Sequence, residues 1–202
     1  MSEEAKYDEL FVFLEPGADP AVDRQVIEHS VDSRTLLVWV PDAETAAAVA
    51  ASALDDNGVR LVELYRGFDL RGAARVIERV VPRAPVARAS FDRGTPKSRI
   101  RRSATIYHAV DADPTRRVMR HHGDGWTVVV GATTEQIADV AEQLVDEGAD
   151  VIEVCGGADL TAAAAVQERL GDRAPVSLVS WPFESLGGAA AFKAAYEAAT
   201  RS

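Results

Sequence analysis

The stretch Glu63-Leu-Tyr-Arg-Gly-Phe-Asp-Leu70 returns ninety residues later as Glu153-Val-Cys-Gly-Gly-Ala-Asp-Leu160. Four residues are identical between the two, and each stretch runs from an apolar segment through a glycine turn to an aspartate. This order is typical of a β-strand that leads through a turn into a capped helix. The repetition of one strand–turn–helix unit therefore determines how the fold is interpreted.

The similarity extends outward from this stretch in both directions. At the same offset, 21 of 57 positions are identical when residues 35–91 are aligned without gaps on residues 125–181. Upstream the offset is 94, where Ala18-Asp19-Pro20 matches Ala112-Asp113-Pro114, so we place four extra residues of the first copy between Pro20 and Thr35. The chain therefore consists of two copies of one unit in tandem.

Each copy alternates apolar runs with helical patterns. The first copy predicts helices at Pro20–His29, Ala43–Asp55 and Leu70–Val80, and strands at Leu10–Leu14, Leu36–Val40, Leu61–Tyr65 and Pro85–Ser90. The second copy predicts strands at Ala104–His108, Thr127–Val130, Val151–Cys155 and Val176–Ser180, and an added C-terminal helix at Gly188–Thr200. Strands that alternate with helices of this length favour βαβ crossovers and a parallel sheet covered on both faces.

Two architectures fit eight such strands. The preferred one has two βαβαβαβ repeats with parallel, Rossmann-like sheets related by a pseudo-twofold axis. The alternative is a small (βα)₈ barrel made of two half-barrels, for which about 200 residues is the lower limit. The short, basic stretch Asp92–Arg102 lacks an apolar stripe and reads as a linker. It favours a first repeat at residues 1–91, and a second at 103–202 that carries the extra helix.

Composition limits the classes of function. A net charge of −10 argues against general binding to nucleic acid or to a membrane surface. The basic cluster of Lys97, Arg99, Arg101 and Arg102 has no interleaved aromatic residues and is interpreted as a solvated linker. The N-terminus resembles no secretory signal, the chain has no apolar run long enough to span a membrane, and its single cysteine fits a reducing compartment. These features predict a cytoplasmic protein.

Most shared aspartates have a structural interpretation. Asp19 and Asp113, each followed by proline, fit helix N-caps. Asp69 and Asp159 fit N-caps of the third helices, and Asp42 and Thr133 those of the second, where Gln136 completes a capping box. Gly58 and Gly148 fit helix C-caps.

Glu63 and Glu153 have no such explanation, because each lies inside an apolar strand. A buried carboxylate must be paired, hydrogen-bonded, protonated or open to a cleft. One interpretation is a structural partner of an arginine or of backbone amides, or a contact between the copies. The other is a general acid/base or ligand anchor at the carboxyl ends of the strands, where parallel α/β sheets bind ligands.

The Gly156-Gly157 turn follows Glu153 and leads toward Asp159. Two glycines allow a ligand to approach the backbone at the positive end of a helix, which suits an anionic group. The first copy holds Tyr65-Arg66-Gly67 at this place, so we expect the copies to be unequal. No dinucleotide fingerprint is present, and no cofactor is indicated.

Further residues near the strand ends complete the candidate site. Cys155 is either a small buried side chain or a thiol nucleophile, with His108 as its base. Asp113 and Trp181 are candidate ligand contacts, and Trp181 and Phe183 could equally pack on the C-terminal helix. His121 and His122 lack the spacing of a metal site, and a metal would otherwise require His108, Glu153 and Cys155 to converge.

The motifs resemble a family of short prokaryotic proteins known as domain of unknown function 6506. Its G-A-D-P turn matches Gly17-Ala-Asp-Pro20, and its I-E-L-C-G-G-F motif matches Ile152-Glu-Val-Cys-Gly-Gly157. The first copy departs from the second motif at Tyr65-Arg66. The resemblance covers nearly the whole chain and implies no reaction.

The sequence leaves open whether the protein is an enzyme. The first hypothesis is an enzyme that binds and transforms a small anionic metabolite in the second repeat. Glu153 would be its acid/base or the anchor of its ligand. The alternative is a non-catalytic binding or scaffold module whose glutamates are structural. The chain would be an intramolecular pseudo-dimer, as a monomer or a homodimer.

Overall fold

The computed structural model describes residues 6–30, 33–91, 96 and 99–200, and shows that both copies form α/β units. The first copy contains β1 (Glu9–Leu14), β2 (Arg24–Glu28), β3 (Arg34–Val40), α1 (Ala43–Asp56), β4 (Leu61–Tyr65), α2 (Leu70–Val80) and β5 (Val86–Phe91). The second contains β6 (Arg102–His108), β7 (Arg117–His122), β8 (Gly125–Ala132), α3 (Ile137–Asp146), β9 (Val151–Val154), α4 (Leu160–Leu170) and β10 (Val176–Ser180). A short 3₁₀ turn (Phe183–Ser185) and α5 (Leu186–Thr200) follow.

The strands of each copy are arranged in the same order. In the first copy the order is β2-β3-β1-β4-β5, and in the second, read from the other edge, it is β7-β8-β6-β9-β10. The inner strands are parallel, whereas β2 pairs antiparallel with β3 and β7 pairs antiparallel with β8. The α/β class is therefore confirmed, but the prediction of purely parallel sheets was wrong because each sheet is mixed.

The helix predicted at Pro20–His29 was also wrong. Asp19 Oδ1 accepts a hydrogen bond from the backbone N–H of Ala21 at 2.9 Å, which makes an Asx turn rather than an N-cap. The chain then extends as β2, whose residues alternate between exposed and partly buried. Asp113 makes the same turn with the Thr115 N–H at 3.0 Å, ahead of β7. The Asp-Pro motif therefore forms a turn that precedes an edge strand in both copies.

The two crossover helices of each copy lie on one face of its strands. Both crossovers of the first copy, β3–α1–β4 and β4–α2–β5, step in the same direction across the strand order. Because such crossovers are right-handed, both helices are placed on the same face. Alanines of α1 and valines of α2 accordingly share one core with Leu10, Val12 and Leu64. The helices α3 and α4 share an equivalent core with Ile106 and Val154. The side chains on the opposite face, such as Phe13, Leu37 and Thr105, are also buried, in agreement with a sheet that is covered on both faces.

Strand register corrects the alignment of the two copies. Relative to the central strands, Ser103 corresponds to Glu9 (an offset of 94), Thr127 to Thr35 (92) and Glu153 to Glu63 (90). Two of the four extra residues of the first copy therefore lie between β1 and β3, and two between β3 and β4. Placing all four before Thr35 was wrong.

Most predicted caps and boundaries are confirmed. The bounds of β4, α2 and β10 agree with the prediction, and Asp42, Asp69 and Asp159 each accept a hydrogen bond from the N–H three residues later. Gly58 and Gly148 have positive φ after α1 and α3. Thr133 differs, because α3 begins only at Ile137 and has no side-chain cap. The Gln136 side chain still accepts from the Thr133 N–H, which is half of the predicted box.

The chain divides into two compact units. One contains the residues up to Arg88 together with the segment from Trp181 onward, and the other contains Ala89–Ser180. The C-terminal helix, predicted as an addition to the second repeat, thus groups with the first. Of the predicted linker, residues 92–95, 97 and 98 lie outside the described residues, as do residues 1–5, and Arg102 begins β6. The pseudo-twofold axis and the barrel alternative stay predictions.

Candidate functional site

The candidate site centres on Glu153, in the middle of β9. Its strand neighbours in register are Thr105 of β6 and Ser177 of β10. Residues in register on parallel strands project from the same face, and neighbouring strands lie about 4.8 Å apart. Thr105, Glu153 and Ser177, which we call the polar row, therefore stand side by side on the face opposite α3 and α4. All three are at most 1% exposed.

Two hydroxyls of the polar row have unused hydrogen-bonding capacity. Within the described part of the chain, neither Thr105 Oγ1 nor Ser177 Oγ has a hydrogen-bond partner. Leaving a buried polar group unsatisfied costs about 1–3 kcal/mol. The adjacent pair, Ser103 and Thr127, is joined by a weak hydrogen bond of 3.4 Å. The second repeat thus keeps a set of buried polar groups, of which the Thr105 and Ser177 hydroxyls are unsatisfied.

The first repeat fills the equivalent positions with apolar side chains. The neighbours of Glu63 in register are Phe11 and Ala87. Glu63 is 3% exposed and accepts a hydrogen bond from the Tyr65 hydroxyl. The Tyr65 ring stacks on Phe13, with centroids 5.2 Å apart. The two glutamates therefore occupy equivalent backbone positions in different surroundings.

The turns that follow β4 and β9 also differ, because the first repeat has a buried arginine where the second has glycine. Arg66 is buried with a positive φ of 65°, which is uncommon for a residue with a side chain, and its Nε donates to the Leu14 carbonyl at 3.2 Å. In the second repeat Gly156 is partly buried and Gly157 is exposed. A Cβ at Gly157 would meet Cys155 Sγ at 3.6 Å, an ordinary contact. The turn is thus filled by an arginine in one repeat and by glycine in the other.

Asp159 changes the expected electrostatics of the glycine turn. Its side chain accepts from the Ala162 N–H at 2.7 Å, at the first turn of α4. The positive end of the helix is therefore already balanced by a carboxylate of the chain itself. A further anion at this turn would meet that negative charge.

Cys155 and His108 lie near the ends of adjacent strands. Cys155 is buried, directly follows β9, and its N–H donates to the Ile106 carbonyl at 3.0 Å. His108 is partly buried and lies close enough to Glu135 to influence the pKa of its carboxyl group. The pKa of Glu135 is lowered first by a backbone hydrogen bond, then by the Thr133 hydroxyl and by His108. The described neighbour of His108 is thus Glu135, in the loop before α3.

The remaining predicted contacts are dispersed. Asp113 is exposed, and its pKa is lowered by hydrogen bonds from the Thr115 side chain and backbone. Trp181 is partly buried and begins the segment that groups with the first unit. Among the described residues, no group of three His, Cys, Asp or Glu side chains could hold a metal ion. In the same residues, no helix combines the length and apolarity needed to cross a membrane.

Thr105 and Ser177 are the site residues that the sequence did not identify. Each alternates with apolar residues on its own strand, which is an ordinary strand pattern. Only the register of β6, β9 and β10 places them beside Glu153.

The comparison with known families agrees with the repeat structure. The family model described as "Family of unknown function (DUF6506)" matches twice, at residues 7–99 and 101–194. The chain therefore belongs to this family and contains two copies of its domain, as the motifs predicted. No curated protein and no solved structure matches the chain.

Proposed function

We propose that the second repeat binds a small polar molecule through the polar row. The observation that carries this proposal is the pair of buried hydroxyls, Thr105 Oγ1 and Ser177 Oγ, which flank Glu153 and have no hydrogen-bond partner among the described residues. A bound molecule with its own donors and acceptors would satisfy both. The apolar equivalents, Phe11 and Ala87, indicate that the first repeat does not share this role.

The charges near the polar row favour a donor-bearing ligand. Glu153 supplies carboxylate oxygens, and Asp159 supplies a second negative charge at the neighbouring turn. A small amine or polyol complements this arrangement better than an anion does. The predicted anionic metabolite, the acid/base role of Glu153, the thiol chemistry of Cys155 and the cytoplasmic location all stay predictions.

Thermal unfolding in the presence of small amines, polyols and carboxylates tests the proposal. The polar row is buried, so binding requires local opening, and each compound is incubated until the midpoint is constant. We expect an amine or a polyol to raise the unfolding temperature in a concentration-dependent manner. The double variant Thr105→Val/Ser177→Ala should lose this response. Glu63→Gln, which changes the buried glutamate of the first repeat and leaves the polar row intact, should keep it.

The unfolding temperature of the double variant without ligand shows whether a lost response comes from lost binding or from a damaged fold. Thr105→Val replaces an unsatisfied buried hydroxyl by a methyl group of similar shape, and Ser177→Ala deletes one, so both changes remove the cost of an unsatisfied buried group. We therefore expect the double variant to unfold at an equal or higher temperature without ligand. An equal response of wild type and double variant to every compound would refute the proposal.

A structural role is the second candidate, and the Glu63–Tyr65 hydrogen bond favours it. If both glutamates serve only to hold the fold, Glu63→Gln and Glu153→Gln should each destabilise the chain, and no compound should bind. This outcome would identify a non-catalytic scaffold module.

A further inference from the structure

Three polar side chains of the first repeat form a hydrogen-bonded chain from the sheet interior to the surface. Glu9 begins β1 and lies in register with Thr35 of β3. Thr35 Oγ1 lies 3.2 Å from Glu9 Oε2 and 2.8 Å from His29 Nε2. Thr35 is buried, Glu9 is partly buried, and His29, which follows β2, is exposed. We call this chain the Glu9–Thr35–His29 relay.

Charged groups surround the relay on every packed element. Asp8 precedes Glu9, forms an ion pair with Arg60 ahead of β4, and accepts from the Arg34 N–H at 3.2 Å. The Arg34 side chain faces Glu28 of β2, with Nε 3.6 Å from Oε1. The opposing charges are therefore paired mainly with one another.

Both ends of the relay favour the neutral form. Burial raises the pKa of Glu9 to about 7 and Asp8 adds to the rise, against opposing effects of Thr35 and Arg60. Burial lowers the pKa of His29, against an opposing effect of Asp8. Glu9 therefore changes charge at a pH at which the His29 ring is already neutral.

A single hydroxyl proton determines the direction of both hydrogen bonds. When Glu9 is ionised, it can only accept, so Thr35 donates to Glu9 and its oxygen accepts from an N–H at His29 Nε2. When Glu9 is protonated, its O–H can donate to Thr35. Thr35 then donates to His29 Nε2, and the ring proton must be on Nδ1.

We propose that the protonation state of Glu9 sets the tautomer of His29 through the Thr35 hydroxyl. On deprotonation Glu9 releases one proton to solvent, Thr35 rotates, and the imidazole exchanges its Nδ1 proton for one on Nε2 through solvent. His29 lines a surface depression of about 390 Å³ together with Glu28, Ser30 and Arg34. Protonation inside the sheet therefore changes the hydrogen bonding of the ring at this surface.

Imidazole ¹⁵N NMR of the full chain tests the proposal. The two ring nitrogens of His29 should exchange their protonated and unprotonated shifts as the pH rises through the titration of Glu9. His108, His121 and His122 are internal controls, and their shifts should not follow Glu9. Glu9→Gln is the main variant, because its NH₂ group can donate at every pH, as only the protonated form of Glu9 can. It should hold His29 in the Nδ1–H form once the ring is neutral.

Variants of Thr35 test the connection itself. Thr35→Val should remove the coupling, so that the tautomer no longer responds to Glu9. Thr35→Ser keeps the hydroxyl and should therefore keep the coupling. Coupling in the serine variant would show that its absence in the valine variant comes from the missing hydroxyl and not from misfolding. A His29 ring that keeps one tautomer throughout in wild type, or changes identically in Glu9→Gln, would overturn the proposal.

Discussion

At the scale of single residues, equivalent positions in the two repeats carry different chemistry. Glu63 and Glu153 have the same place in their strands, but one contacts a tyrosine and an aromatic stack while the other stands between two hydroxyls. Sequence identified both glutamates as unusual. It could not separate their roles, because the difference comes from neighbours on other strands.

The Glu63–Tyr65 hydrogen bond should contribute measurably to stability. Tyr65→Phe removes the buried phenol that donates to the carboxylate, so the free energy of unfolding should fall by about 1–3 kcal/mol. Urea denaturation measures the change. Tyr7→Phe removes the same atom from a partly buried residue of the same repeat and should have a smaller effect. Equal losses in the two variants would contradict the assignment.

Glu9 should make stability depend on pH. Its pKa is about 7 in the folded chain against 4.5 ordinarily, so the folded state binds more protons between these values. Its contribution to stability therefore falls as pH rises from about 4.5 to about 7 and is constant on either side. The difference in unfolding free energy between wild type and Glu9→Gln should change by roughly 3 kcal/mol across this window, at about 1.4 kcal/mol per pKa unit. A difference that does not vary with pH would exclude the raised pKa.

At the scale of elements, the local signals for helices and inner strands were sufficient. The bounds of β4, α2 and β10 follow from apolar runs and an aspartate cap. The error at Pro20–His29 arose because an Asp-Pro pair also suits an Asx turn. Residues 24–28 form a strand and not a helix because they pair antiparallel with β3. Pairing between distant strands is not visible in a local pattern, and neither is the polar row.

Two adjacent glycines in α5 give a matched test of how this helix packs. A Cβ at Gly187 would have nothing within 4 Å, whereas one at Gly188 would lie 3.0 Å from Pro85 Cδ. Alanine should stabilise a helix by up to about 1 kcal/mol relative to glycine. Gly187→Ala should therefore raise the unfolding free energy, and Gly188→Ala should raise it less or lower it. Equal gains would show that α5 does not approach Pro85 closely.

At the scale of the whole molecule, the order of the chain differs from the order of its compact units. The segment from Trp181 onward groups with the first unit, and the Ser185 hydroxyl accepts from the Val86 N–H at 3.0 Å. The Arg60 guanidinium also lies over the Phe192 ring, 5.4 Å from its centroid. The first unit is therefore built from both ends of the chain.

Removal of residues 181–202 should weaken the first repeat selectively. We expect faster amide hydrogen exchange at Arg60 and Val86, because the segment that contacts them is gone, and unchanged exchange in β8. Ser185→Ala removes only the hydroxyl that accepts from the Val86 N–H. It should accelerate amide exchange at Val86 more than at the neighbouring residues. Uniform acceleration across both repeats would show that the segment supports the whole chain.

The Ser185–Val86 hydrogen bond also has a consequence for synthesis on the ribosome. Its two partners are 99 residues apart. At about 5–20 residues per second, Ser185 is synthesised roughly 5–20 s after Val86. The second repeat is translated in this interval, while the first lacks its last contacts. The repeat that is made first is thus completed last, and a nascent-chain chaperone would encounter it with β5 still uncovered.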